Sequence, residues 1–93
     1  MSAKIHVRLP PVLRTVMGGT TEVEGDGATV GQVLSDLAAR HPALGLHLFD
    51  EAGTPRRNIV CLHRGELVRA REFAAHAVEP GAKLVMTNAL AGG

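Results

Sequence analysis

Thr29-Val30-Gly31-Gln32-Val33-Leu34-Ser35-Asp36-Leu37-Ala38-Ala39-Arg40-His41 is the stretch on which the fold turns. Val30, Val33, Leu34, Leu37 and Ala38 recur at helical spacing and form one apolar stripe, the pattern of a helix packed on a single face. Thr29 is placed to cap the first turn, and Gln32 three residues later completes a capping-box pattern. Asp36 and Arg40 are spaced for a surface ion pair worth a few tenths of a kcal/mol. Pro42 discourages continuation. The spacing predicts a helix over 29–41 that needs a sheet to cover its apolar side.

Strand signals lie on both sides of it. Lys4-Ile5-His6-Val7-Arg8-Leu9 alternates polar and apolar, which directs Ile5, Val7 and Leu9 inward. Pro10-Pro11 ends that strand because neither proline can donate to a ladder. Gly18-Gly19 supplies turn chemistry before a second candidate strand over 20–24, so the two read as a hairpin with a longish connection. Beyond the helix, 43–57 reads as a short helical turn followed by a loop. The run Ile59-Val60-Cys61-Leu62 reads as a strand, Arg64-Gly65-Glu66 as a tight turn, and Leu67-Val68 as a brief strand. A turn at Glu79-Pro80-Gly81-Ala82 precedes a last strand over 83–87. Strands on either side of one amphipathic helix predict an α+β domain with the helix on one sheet face. The first and last strands are placed to lie side by side in parallel.

Composition narrows the function classes. The 93 residues suffice for one domain and bury roughly 60–65% of the unfolded surface. Aromatic residues are 2% of the chain, so the core is aliphatic and little is left for stacking surfaces for single-stranded nucleic acid. A formal charge of +1 gives no basic field, and Arg56-Arg57, Arg64, Arg69 and Arg71 read as a solvated loop and hairpin surface. No nucleic-acid or membrane partner is expected. Cys61 is the single cysteine, which excludes an intrachain disulfide, and the sequence leads us to expect no apolar leader and no membrane span. The expected location is the cytoplasm.

The last residues read Asn88-Ala89-Leu90-Ala91-Gly92-Gly93. Small side chains and two glycines cannot pack a core, and six extended residues span roughly 20 Å. The reading is a domain over 1–88 with a flexible tail over 89–93, slim enough to enter a narrow channel of another protein. The working group is then the carboxylate on Gly93, preceded by Gly92, with Ala91, Leu90 and Ala89 available for tail recognition. A carboxylate becomes an acyl donor once AMP is attached from ATP, and a sulfur nucleophile displacing AMP leaves a thiocarboxylate.

The Ile5-Val7-Leu9 strand, the capped helix with Gly31-x-Val33-Leu34-x-x-Leu37, the Glu79-Pro80-Gly81 turn and the Ala89-Leu90-Ala91-Gly92-Gly93 ending occur together and in this order. In this combination the chain resembles the MoaD/ThiS family of ubiquitin-like sulfur carriers over nearly its whole length. The long 42–57 segment is more similar to MoaD-type and CysO-type members than to the shorter thiamine carriers. The resemblance implies a β-grasp fold: a mixed sheet with one main helix packed on one face. It also implies a ubiquitin-activating-type adenylating enzyme that uses ATP, a sulfur donor, and an acceptor synthase that takes sulfur from the thiocarboxylate on Gly93. The carrier itself contributes no general acid or base and binds no cofactor. Molybdenum cofactor, cysteine, thiamine and a sulfur-containing secondary metabolite remain open as the product. Two other readings stay open: a ubiquitin-like modifier joined to lysines through Gly93, and a β-grasp interaction domain with an inert tail. Asn88 stands where many relatives have proline, and His63-Arg64-Gly65-Glu66 where relatives often have an Asn-acid turn. The first departure predicts a tail that leaves the sheet less rigidly.

If Ile59, Cys61, Leu84 and Met86 face the helix, then Val60, Leu62 and Val85 lie on the open face of the sheet, rimmed by Arg8 and Lys83. That patch is the expected docking surface for the activating enzyme. The continuous 59–62 run does not fix its own register, and a slip of one residue reverses the assignment. Cys61 sits in that apolar run without a neighbouring cation other than His63, and reads as a buried small hydrophobe. His6, His41, His47, His63 and His76 show no zinc-ligand spacing, so no metal is expected.

Overall fold

The computed structural model describes residues 4–88. The expected tail over 89–93 lies outside the described residues. In chain order the elements are β1 (Ile5–Arg8), α1 (Pro11–Val16), β2 (Glu22–Gly25), α2 (Val30–Arg40), α3 (Pro42–Leu48), β3 (Ile59–His63), β4 (Glu66–Arg69), a 3-10 turn (Ala70–Glu72) and β5 (Lys83–Asn88). They form one five-stranded sheet in the order β2-β1-β5-β3-β4. β1 and β5 pair in parallel, as expected, and the other neighbours pair antiparallel. β5 is thus the central strand, held on both edges.

α2 begins one residue after its cap: the Gln32 N–H donates to Thr29 Oγ1 at 3.2 Å. The return bond of the capping box is shifted, because Gln32 Oε1 accepts from the Ala28 N–H at 2.8 Å rather than from Thr29. Arg40 Nε reaches Asp36 Oδ2 at 2.8 Å, the expected pair one turn apart. Val30, Val33, Leu34 and Leu37 are fully buried against the sheet face made by Ile5, Val7, Ile59, Cys61, Leu84 and Met86. Leu13, Leu44 and Leu48 extend the same cluster, so all three helices cover one face.

Two connections carry structure that periodicity does not announce. Pro10-Pro11 ends β1, but Pro11 also stands in the first turn of α1, where its missing N–H costs nothing. Leu13 anchors this short helix in the core. Gly18 and Gly19 adopt positive φ, and the Gly19 N–H closes α1 by donating to the Arg14 carbonyl at 2.7 Å. The second strand lies at Glu22–Gly25, later than the 20–24 expected. Pro42 stops α2 and starts α3 at a bend, with His41 outside the helical region (φ −131°, ψ 82°) between them.

Gly31 has a packing reason. A Cβ there would meet the Ala74 backbone and the Phe73 carbonyl carbon at 3.3 Å. The Gly31 N–H donates to the Phe73 carbonyl at 2.8 Å, and the Val30 N–H to the His76 carbonyl at 2.9 Å. The strap between β4 and β5 therefore crosses the start of α2 at close range, satisfying two of its first-turn N–H groups. Phe73, 1% exposed, is the aromatic pin of that strap.

Candidate functional site: the end of β5 and the open sheet face

β5 carries the chain to the tail. Its last described residue, Asn88, is still paired with Ile59, and Thr87 with Val60. Asn88, which stands where many relatives have proline, is thus part of the strand, and how rigidly 89–93 leave the sheet lies outside the described residues. Gly93, Gly92, Ala91, Leu90 and Ala89 lie outside the described residues.

The sheet face away from the helices is the one the alternation assigns. Ile59, Cys61, Leu84 and Met86 are buried in the core, which fixes the register left open by the 59–62 run. Leu62 is 38% exposed and Val85 40% exposed, and the two are cross-strand partners. Arg8 is Val85's partner on the other side, and Lys83 is His6's; both cations are exposed.

Val60 corrects the expectation of an exposed residue. It lies outside the core cluster, on the same face as Leu62, yet is only 5% exposed. It shares a groove with Arg57, Arg69, Ala70 and Arg71, whose long stems are the available cover. Val60 acts in packing at the edge of the face rather than as a free contact. Leu67, 45% exposed and paired with Leu62, is an exposed apolar residue of that face that sequence reasoning did not single out. The signal was present: in Glu66-Leu67-Val68-Arg69 one of the two central residues must point outward. Arg8, Val85, Leu62 and Leu67 thus form one row across four strands.

Cys61 is fully buried, and desolvation pushes its thiol up to about 12. A thiolate nucleophile is therefore absent at neutral pH. The structure also brings together groups that sequence spacing did not join. His63, 6% exposed, sits between His76 and Glu79, with Nδ1 at 2.9 Å from His76 Nε2 and Nε2 at 3.4 Å from Glu79 Oε2. No group of three residues suited to hold a metal ion occurs among the described residues, and no described helix is long and apolar enough to cross a membrane.

A parallel β1–β5 pair flanked by two antiparallel hairpins, with its helices on one face, is the ubiquitin-like β-grasp architecture. SAMP1 from Haloferax volcanii superposes on 98% of this chain and 100% of its own, with a TM-score of 0.79 at 29% identity. A chain of the Amycolatopsis orientalis BexX/CysO complex does so over 96% of this chain and 99% of its own, with a TM-score of 0.75 at 32% identity. In sequence, the sulfur carrier protein CysO of Mycobacterium tuberculosis is 32% identical over 91 residues, 96% of this chain and 98% of that protein. The ThiS family model matches residues 7–93, and the chain belongs to that family.

Proposed function

We propose that this chain is a sulfur carrier, acting as a protein substrate rather than as an enzyme. The observation that carries the reading is the extent of the family match, which runs through Gly92 and Gly93. The identity to a sulfur carrier protein over nearly the full length of both supports it. The β-grasp body over 1–88 holds out the tail over 89–93. A ubiquitin-activating-type partner directs a Gly93 carboxylate oxygen onto the α-phosphorus of ATP, and pyrophosphate leaves. Sulfide, or a sulfur donor in its place, attacks the acyl carbon, AMP departs, and the thiocarboxylate remains. An acceptor synthase then takes the sulfur. The row Val85, Leu62 and Leu67, rimmed by Arg8 and Lys83, docks the activating partner.

The test is incubation with adenylating enzymes of this type, ATP and sulfide, read by intact mass. Exchange of one oxygen for one sulfur at the C-terminus is expected, and deletion of Gly92-Gly93 abolishes it. Delivery of sulfur by the truncated chain would overturn the reading. The likeness to SAMP1, a small archaeal modifier protein, favours a second reading: isopeptide conjugation through Gly93. Conjugates of higher mass on target lysines, with no sulfur exchange, would select it.

A further inference from the structure

Arg57, Arg69 and Arg71 line one groove of about 450 Å³ together with Val60 and Ala70. Arg69 is the cross-strand partner of Val60, and Thr87 is Val60's partner on the other side. The groove therefore lies beside the end of β5, one ladder step from the exposed Leu62 row. All three arginines are exposed, and none has a carboxylate within ion-pair distance among the described residues. Other arginines are engaged: Arg40 with Asp36, Arg14 with the Leu9 carbonyl at 2.8 Å, Arg56 with the Leu46 carbonyl at 3.2 Å. Glu72, the nearest acid in sequence, accepts from the Arg69 backbone N–H at 3.0 Å and makes no ion pair with the three guanidiniums; its charge offsets one of theirs and leaves a local positive excess.

Three guanidiniums without an ion-pair partner around a concave surface repel one another and focus a positive field. In a chain of net charge +1 this is a local concentration, not a general basic background. Planar guanidinium forks match carboxylates in bidentate geometry. The same face runs without a break into Leu62, Val85 and Leu67, so a partner broad enough to cover that row also covers the groove. We propose that the Arg57–Arg69–Arg71 groove receives an acidic segment of the activating partner, Asp or Glu side chains on a protein surface, and so sets how the carrier is oriented as its tail is loaded. This rests on the carrier reading and adds the charge of the surface that the partner must present.

Two measurements decide it. The first is titration of the ¹⁵N-labelled chain at low salt with a blocked hexa-aspartate peptide, with hexa-lysine and pyrophosphate as comparisons. Saturable shifts at Arg57, Val60, Arg69, Ala70 and Arg71 with the acidic peptide alone are expected, weakened by about tenfold or more in the Arg57→Glu/Arg71→Glu variant. Shifts spread equally over Arg8, Arg14 and Arg64, no saturable response, or a preference for pyrophosphate would overturn the proposal. The second uses any enzyme that loads the wild-type chain: the double variant raises KM about tenfold or more, with a smaller change in kcat and a flattened salt dependence. An unchanged KM overturns the groove and leaves the carrier reading standing. Absence of loading by every enzyme tested removes the carrier reading, and the peptide titration still decides the groove.

Discussion

Nδ1 of His63 lies 2.9 Å from Nε2 of His76, a contact that holds only one proton. On the far side of the same ring, Nε2 stands 3.4 Å from Glu79 Oε2, within ion-pair reach but without an aligned hydrogen bond. If Nδ1 of His63 carried the only proton of the neutral ring, the Nε2 lone pair would face a carboxylate. The neutral pair therefore places the proton on His63 Nε2, and His76 Nε2–H donates to His63 Nδ1. Long-range ¹⁵N–¹H correlation is expected to show this tautomer at His63. The opposite tautomer would refute the assignment and release His76 from its donor role.

Glu79 ties that pair to pH. Its carboxyl is held below the ordinary value of 4.5, first by its own backbone N–H; desolvation opposes as the next largest effect, and His63 and then Arg64 add smaller lowering. A carboxylate with a lowered folded pKa stabilises the fold above its unfolded value and loses that contribution as pH falls through the folded one. Wild type and Glu79→Gln should differ in urea midpoint above pH 4.5, and the gap should close progressively below it. A gap that stays constant on acidification would exclude the linkage.

The helix, the parallel pairing of the outer strands in sequence and the inward sets of β1 and β5 were legible because each rests on an unbroken period. The 59–62 run was not self-reporting: four successive apolar residues fit either register, and only pairing of Cys61 with Met86 and Val68 selects one. α1 escaped because Pro10-Pro11 signals both a strand stop and a helix start, and six residues carry too little periodicity to choose. The His63–His76 contact was illegible in principle, since it depends on how the strap between β4 and β5 folds back over α2.

The β3–β4 hairpin turns at Arg64 and Gly65 with φ of 54° and 82°. Two positive φ angles in a two-residue loop favour Asn-Gly, and a Cβ with a long side chain is the disfavoured choice in the first position. Arg64→Asn should stabilise the domain by about 0.5–1 kcal/mol, read from the denaturation midpoint at unchanged slope. Destabilisation would mean that the attraction between Arg64 and Glu79 outweighs the backbone gain.

Cys61 should behave as a core residue. Its thiol, raised to about 12 from 9.0, stays neutral in the folded chain, so a disulfide-exchange reagent should label it only at the rate of unfolding. The unfolded thiol ionises first as pH rises, so folding stability should decline from 9.0 upward and level off near 12. Rapid labelling of the native chain at neutral pH would contradict the burial.

On the proposed docking face, packing and docking can be tested separately, because its residues differ in exposure. Leu62→Asp and Val85→Asp alter side chains that are 38% and 40% exposed, and should shift stability by about 1 kcal/mol or less. Val60→Ala removes two methyl groups from a nearly closed site and should cost about 1.5 kcal/mol. Loading by the activating enzyme should respond in the opposite order. The two aspartate variants should raise the KM for the carrier about tenfold or more by placing an unpaired charge in the contact, while Val60→Ala, still folded, should load with a KM near wild type. Paired urea melts and loading kinetics on the three variants test this. If KM rises in proportion to lost stability across all three, Leu62 and Val85 act through the fold and the docking surface lies elsewhere.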